Sequence, residues 1–257
     1  MQKYVILDQG LRLPDGRIVK RIYAVRDFGN VQKGTIGGFI ECRDNLSQAG
    51  HCWVADDAVV AGWSRVSGDA IIKDNAKIDG FVSVFDRATI YDHALLENYV
   101  AVFGDAKVGG TSYLKDGATV RDRAIVHCQS RRSVSGKTRI PNMRDNATVR
   151  DFAKLEGRVL LGGNAIVGGH AAIRDHAKLL ENAIVGDDAV IEHHASLSDN
   201  CRILHRAVIG GHAKICGRVF VVDNADVRGK SILLCNAYIG GHARLANEML
   251  SGDESRR

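Results

Sequence analysis

Several features that mark other protein classes are scarce or missing in this chain of 257 residues. It has 2 Pro against 28 Gly, only 6% aromatic residues, and no uninterrupted run of about 18 apolar residues. These absences exclude a collagen-like chain and predict no transmembrane helix. The start at Met1 lacks the order of basic, apolar and small residues of a signal peptide. We therefore expect a cytoplasmic protein with no membrane partner.

The cysteines also lack the spacings that signal a metal or redox site. No CxxC pair occurs, so neither a zinc site nor a thiol redox motif is indicated. We expect all six cysteines to be reduced and no metal to be bound. They are Cys42, Cys52, Cys128, Cys201, Cys216 and Cys235.

The charge excess lies in one segment. The formal net charge is +5, and residues 121–158 hold ten Lys or Arg against four Asp or Glu. Such a segment can attract an anionic ligand or can simply form a solvated face. Phe152 is its only aromatic residue, so it offers no interleaved stacking platform and a nucleic-acid partner is disfavoured.

Small residues recur with a period of six. Ala residues from Ala58 to Ala124 are separated by multiples of six positions, and the same spacing recurs in a shifted frame from Ala147 to Ala243. An aliphatic residue stands two positions after each small position, from Val60 to Leu245. A period of six is divisible by two and incompatible with 3.6, so it predicts short strands and not amphipathic helices.

Each hexad also contains a predicted corner. Gly, Asp or Asn stands two positions after the aliphatic residue, as in Gly62, Asp74 and Asn98, and these residue types tolerate a left-handed backbone. If three hexads close one coil, residues 18 apart stack at about 4.8 Å. Three columns support this by like or complementary neighbours: Trp63, Phe81 and Tyr99; Asp69, Arg87, Asp105 and Arg123; Asn146, Asn164, Asn182 and Asn200.

The predicted architecture is an all-β solenoid of about ten coils, roughly 50 Å long. We assign a β cap to residues 1–35, with a hairpin turn at Pro14-Asp15-Gly16-Arg17, the repeats to 36–246, and a polar tail to 247–257. The cap and tail would block edge pairing at the open ends. Val126 and Met143 are 17 positions apart instead of 18, so residues 129–142 form an irregular coil or a short protruding loop. No long inserted loop is expected.

The hexad Ile209-Gly210-Gly211-His212-Ala213-Lys214 resembles the repeat of left-handed parallel β-helix proteins of the hexapeptide family. The left hand is implied by this resemblance. The segment Gly34-Thr35-Ile36-Gly37-Gly38-Phe39-Ile40-Glu41 is similar to a leader that precedes such arrays in bacterial proteins assigned as acyltransferases. The resemblance implies a homo-oligomer, usually a trimer, and an acyltransferase that uses a His as general base and acetyl-CoA as co-substrate, with no permanently bound cofactor.

Two sets of histidines are candidates for that base, which would act on a small-molecule or sugar acceptor. His176, His194 and His212 are 18 apart and should stack, as a structural ladder, a catalytic group or a metal site. His127 is the alternative, because it lies beside the register change and near Arg131 and Arg132, where a CoA phosphate could dock.

Other observations limit these readings. Cys128, His193, His205 and Cys235 occupy corner sites where Gly or Asp is usual, and we expect them to be left-handed residues. The γ-class carbonic anhydrases, a second branch of this fold, take two zinc ligands at an H-x4-H spacing that is missing here, which disfavours zinc catalysis. A non-catalytic scaffold or protein-docking module remains the alternative function.

Overall fold

The chain forms a left-handed parallel β-helix of about twelve turns, with a small antiparallel hairpin at its N-terminal end. The structure, a computed structural model, describes residues 2–132 and 139–257. The twelve turns are slightly more than the ten predicted from the sequence. Part of the reason is that strands Met249–Leu250 and Ser255–Arg256 extend two faces past residue 246, where a polar tail was expected.

Three parallel sheets make the three faces of the prism. Face 1 consists of the strands Trp53–Val54, Ile71–Ile72, Thr89–Ile90, Lys107–Thr111, Ile125–Gln129, Lys154–Gly157, Ala172–Ile173, Val190–Ile191, Val208–Ile209, Asp226–Arg228 and Arg244–Ala246. Face 2 consists of Val59–Val60, Lys77–Asp79, Leu95–Glu97, Tyr113–Lys115, Leu160–Leu161, Lys178–Leu179, Ser196–Leu197, Lys214–Ile215, Ile232–Leu233 and Met249–Leu250, with Met143 bridging Leu114 to Leu161.

Face 3 consists of Arg65–Val66, Ser83–Val84, Ala101–Val102, Thr119–Val120, Thr148–Val149, Ile166–Val167, Ile184–Val185, Arg202–Ile203, Phe220–Val221, Tyr238–Ile239 and Ser255–Arg256. We name the corners by the faces they join, so the chain passes edge 1–2, then edge 2–3, then edge 3–1 in every turn. From Trp53 to Ala246, and outside the insert described below, paired residues on each face are 18 positions apart, as in Val167 with Val185. The first pair of face 2, Ile40 with Val60, is 20 apart, and the last pairs of faces 2 and 3 are 17 apart.

The interior of the prism is a stack of the periodic residues. The aliphatic and small positions of the repeat, such as Val167 and Ala183, are fully buried, while the residues between them face outward. At the corners, a left-handed Asp commonly accepts the amide N–H of the residue 18 positions later, as Asp74 does from Asp92 at 3.0 Å. The carboxylate satisfies a backbone donor that the turn would otherwise leave unpaired.

The ladders predicted from the sequence are present. The rings of Trp63, Phe81 and Tyr99 stack with centroids 6.4 and 5.0 Å apart. Each amide of the Asn146 to Asn200 column donates to the next at 3.0–3.2 Å. Arg87 donates to both carboxylate oxygens of Asp105.

The N-terminal hairpin closes the first turn. Its strands are Tyr4–Arg12 and Ile18–Ala24, and the second pairs antiparallel with Ile36–Ile40, which starts face 2. The turn lies at the predicted position, where the Gly16 amide donates to Leu13 O at 2.9 Å. A short 3-10 helix, Arg43–Asn45, follows. Within the described part of the chain, no helix has the length and hydropathy needed to cross a bilayer.

A buried lysine plugs this end of the solenoid. Lys3 is fully buried, and its ammonium donates to the carbonyls of Ala49, Gly50 and Cys52 at 2.9–3.3 Å and to Cys52 Sγ at 3.2 Å. Burial lowers the pKa of Lys3, and the Phe28 ring lies 5.0 Å from its nitrogen. One side chain thus satisfies carbonyls that the open end would leave unpaired.

We expect Lys3→Met to lower the free energy of unfolding by about 2–4 kcal/mol, because it leaves buried carbonyls without donors. Lys20→Met is the matched control, since Lys20 lies in the same hairpin with its side chain 43% exposed. Urea unfolding of the three proteins measures the effect. Equal losses in the two variants would contradict the role assigned to Lys3.

Candidate functional site at edge 1–2

The regular solenoid is interrupted by one inserted hairpin. Leu114 pairs with Met143 and Val126 with Leu155, each 29 positions later instead of 18. The 17 positions between Val126 and Met143 are therefore not a coil one residue short: they hold one hexad and an insertion of eleven residues. This register rules out the irregular-coil interpretation and is consistent with the short-loop interpretation, and the eleven inserted residues contradict the expectation of an array without an inserted loop.

The insertion leaves the solenoid at edge 1–2. It follows the long strand Ile125–Gln129, and Arg131–Arg132 pairs antiparallel with Arg139–Ile140. The side chains of Arg131 and Arg132, our candidate CoA ligands, lie outside the described residues, as do residues 133–138. The backbone of both arginines lies in the strand pair next to the solenoid, which we call the root of the hairpin.

Two buried polar residues hold this root, and the repeat pattern indicated neither of them. Asn142 is 2% exposed; it accepts the Tyr113 amide at 3.1 Å and donates to Gln129 O at 3.3 Å and Val159 O at 3.0 Å. Ser112 Oγ accepts the Cys128 amide at 2.8 Å and donates to Gly109 O at 2.6 Å. The sequence signal for both residues was a polar side chain at a core position of the repeat, because polar groups are buried only where they find hydrogen-bond partners.

His127 lies beside this root on face 1. Its Nδ1 is 3.2 Å from Tyr91 Oη, although Tyr91 is two coils away. Gly109 makes the contact possible: it lies between them in the same column, and a Cβ there would come 2.1 Å from the Tyr91 ring. The ring thus occupies the space that a side chain at 109 would take.

The surroundings of His127 hold its ring from one side. Asp92 Oδ2 is 3.9 Å from Nδ1, and the pKa of Tyr91 is raised by burial and by Asp92, so the phenol keeps its proton at neutral pH. Nδ1 faces these two groups, and Nε2 lies over Gly110, where an added Cβ would come 3.4 Å from it. This is the arrangement of a general base whose ring is held by an acidic and a hydroxyl partner.

The neighbouring thiol is not a nucleophile. Cys128 is fully buried, and desolvation raises its pKa to about 12, so it remains a thiol at neutral pH. It also departs from the predicted corner geometry, because its φ is not positive, whereas its partner in the preceding coil, Gly110, has a φ of 67°. The other three exceptions are left-handed as expected, with φ of 58° at His193, 59° at His205 and 62° at Cys235.

The histidine ladder lies on the same edge. His176, His194 and His212 stack with ring centroids 4.7 and 4.8 Å apart. Face 1 places His176 two coils beyond His127, or about 10 Å along the axis. His127 and the histidine ladder, the two candidates for the general base, thus lie on one edge. Arg158 lies one coil before His176, and Lys230 lies one coil after His212.

The ladder shows stacking geometry and no ligand cage. Among the described residues, no group of three His, Cys, Asp or Glu is arranged to hold a metal ion. We expect His194→Ala to change the free energy of unfolding by less than about 0.5 kcal/mol, because the side chain is exposed. Thermal unfolding measures it, with Ala195→Leu, a buried neighbour, as the destabilised control. A large loss in the alanine variant would show that the ladder carries stability.

Comparison with known proteins gives one short match. No protein-family model matches the chain. The chain is 34% identical over 62 residues to "Uncharacterized acetyltransferase YdcK" of Escherichia coli (strain K12), which covers 21% of this chain and 19% of that protein. The match spans about a fifth of that relative's length. Together with the three-sided solenoid, it fits a protein of the hexapeptide-repeat type with acetyltransferase similarity.

Proposed function

We propose that the protein is an acyl-CoA-dependent acyltransferase whose active site lies at edge 1–2, beside the inserted hairpin. The observation that supports this best is the hydrogen-bonded position of His127, 3.2 Å from Tyr91 and at the root of the insert. An insertion beside a hydrogen-bonded histidine gives this edge a feature that the regular coils lack, and we infer that a substrate is held there.

In the proposed reaction, His127 Nε2 takes the proton from a hydroxyl or amine of a small-molecule or sugar acceptor. The freed oxygen or nitrogen attacks the thioester carbonyl, the acyl group moves to the acceptor, and the CoA thiolate leaves and takes up a proton. Tyr91 and Asp92 act as positioning residues through Nδ1. The cations of the hairpin root, Arg131 and Arg132, would bind the CoA phosphates.

A homo-oligomer, with a trimer as the expected form, belongs to this proposal. Edge 1–2 is convex, so a second subunit would supply the opposite wall of the site. Light scattering tests it: a mass of about three chains supports the arrangement, and a monomer contradicts it.

Calorimetric titration of acetyl-CoA tests the binding step. We expect a Kd in the micromolar range, on the order of −8 kcal/mol, and at least tenfold weaker binding for Arg131→Glu/Arg132→Glu. Arg206→Glu/Arg218→Glu is the matched control, because it reverses the same charge on the other two edges. If both double variants bound acetyl-CoA equally weakly, the weakening would come from the change in net charge, and the role proposed for Arg131 and Arg132 would be contradicted.

The alternative is a non-catalytic scaffold or protein-docking module. It is favoured by the unbroken regularity of the coils from Thr148 to Ala246, which leaves long flat faces. If the calorimetric titration showed no binding of acetyl-CoA to the intact oligomer, the scaffold function would be favoured over acyl transfer.

A further inference from the structure

A cleft with two arginines lies on face 3 where it meets edge 2–3, near the C-terminal end of the array. Asn200 and Arg202 are exposed on either side of the buried Cys201, and Arg218 and Phe220 hold the same places one coil later. The four outward side chains form a square, about 4.8 Å along the axis and about 6.6 Å along the strand. Together they line a cleft of about 300 Å³, which we name the arginine cleft.

The asparagine ladder ends in this cleft on an unused donor. In the column from Asn146 to Asn200, each Nδ2 donates to the Oδ1 of the next residue. Asn200 accepts the last of these bonds at 3.2 Å, and the next position of the column is Arg218. A guanidinium has donors only, so Arg218 cannot accept the N–H groups of Asn200. In the part of the chain that the structure describes, no other acceptor pairs with Asn200 Nδ2.

The two arginines carry charges without a counter-charge. Among the described residues, neither Arg202 nor Arg218 forms an ion pair or donates a hydrogen bond from its side chain. Arg202 Cζ lies 5.8 Å from the centroid of the Phe220 ring, a cation–π contact that supplies no acceptor atom. Arg87 on edge 3–1 differs, because both carboxylate oxygens of Asp105 accept from it.

The carboxylates closest to the cleft along the chain and the column are engaged by other donors. Asp199 Oδ2 accepts the Gly217 amide at 2.9 Å and the Cys216 thiol at 2.7 Å. Asp253 Oδ1 accepts Asn236 Nδ2 at 3.0 Å. Within the described ranges, neither carboxylate is at ion-pair distance from a guanidinium of the cleft. An anion that enters the cleft therefore meets a positive potential.

The number of donors favours phosphate over carboxylate. A carboxylate has one negative charge and two oxygens, which a single guanidinium fork can satisfy. A phosphate monoester has three terminal oxygens and a charge of about −1.5 to −2 at neutral pH. Three separate donor groups and two positive charges match the phosphate. The fourth corner of the square, Phe220, is 36% exposed and offers the organic part of the ester an apolar contact.

We propose that the arginine cleft binds the phosphate group of a phosphomonoester. Arg202, Arg218 and Asn200 Nδ2 donate to its oxygens, and its organic group contacts Phe220. The cleft does not lie on edge 1–2, so the proposal does not rest on acyl transfer. We expect a Kd on the order of 1 mM, because the cleft is open to water and salt. The two sites are separable by titration, since acetyl-CoA is expected to bind in the micromolar range.

Phenyl phosphate, titrated into the intact protein and followed by chemical-shift changes, tests the proposal. We expect Arg202→Gln and Arg218→Gln each to weaken its binding at least about fivefold. Arg206→Gln is the matched control, because it removes an exposed arginine on edge 3–1, and it should change the Kd by less than about twofold. Unfolding curves of the three variants show whether each keeps the fold.

The amide and the type of anion are tested separately. Asn200→Ala should weaken binding of phenyl phosphate at least about threefold, whereas Asn164→Ala, inside the same ladder, should leave the Kd unchanged. Benzoate, a carboxylate on the same ring, should bind wild type at least about fivefold more weakly than phenyl phosphate. No saturable binding by wild type, equal weakening by Arg206→Gln and Arg218→Gln, or equal affinity for benzoate would each overturn the proposal.

Discussion

Val167→Asp is expected to cost at least about 4 kcal/mol of the free energy of unfolding. Val167 is fully buried on face 3, between Val149 and Val185 of the neighbouring coils. The interior there consists of aliphatic and small side chains, so a carboxylate would have no cation or donor to pair with. Burial of an unpaired charge is among the most destabilising single changes known in proteins.

The neighbouring residue Ile166 supplies the control. It lies in the same strand but faces outward, so Ile166→Asp leaves its charge in water and should cost less than about 1 kcal/mol. Urea unfolding of both variants and wild type compares them directly. If the two variants were equally stable, the assignment of inward and outward positions would be wrong for the whole array, because one register runs through every coil.

The second large effect is expected on activity. If His127 is the general base, His127→Gln should lower the rate of acyl transfer by about 10²–10⁴-fold, while acetyl-CoA binding stays within about twofold. Glutamine keeps a polar side chain of similar reach but cannot take a proton at neutral pH. The release of free CoA, followed with a thiol reagent over a panel of sugar and amine acceptors, measures the rate.

His194→Gln distinguishes the two sets of histidines on this edge. Its ring stacks between those of His176 and His212 and lies away from the inserted hairpin. We expect it to retain the wild-type rate within about threefold. If His194→Gln abolished transfer and His127→Gln did not, the ladder would be the catalytic element and the role proposed for His127 would be refuted.

Much of the fold follows from local pattern. A period of six with small and aliphatic positions predicts strands, corners and an 18-residue coil, and the stacked rings of Trp63, Phe81 and Tyr99 confirm the coil length. The left-handed corners at His193 and His205 could also be predicted, because position in the repeat decides the backbone angle there. Cys128 was assigned wrongly by the same rule, because it directly precedes the inserted residues, where the chain leaves the repeat.

The candidate site was only partly predictable. His127, the histidine ladder and the arginines were found as residue types at conspicuous places, but not as members of one edge. Tyr91 was missed because its contact with His127 spans 36 positions and depends on the absence of a side chain at Gly109. Asn142 was missed because its partners come from three different segments.

The repeat determines the architecture because each hexad carries its own signal: an inward aliphatic residue, a corner that tolerates positive φ, and a small residue. A gap of 17 positions carries no such signal, since it fits both a shortened coil and one hexad with an eleven-residue insertion. Only the pairing of Val126 with Leu155 in the folded chain selects the second. The inserted hairpin and the contact of Tyr91 with His127 both depend on which coils are neighbours, and that is a property of the folded chain.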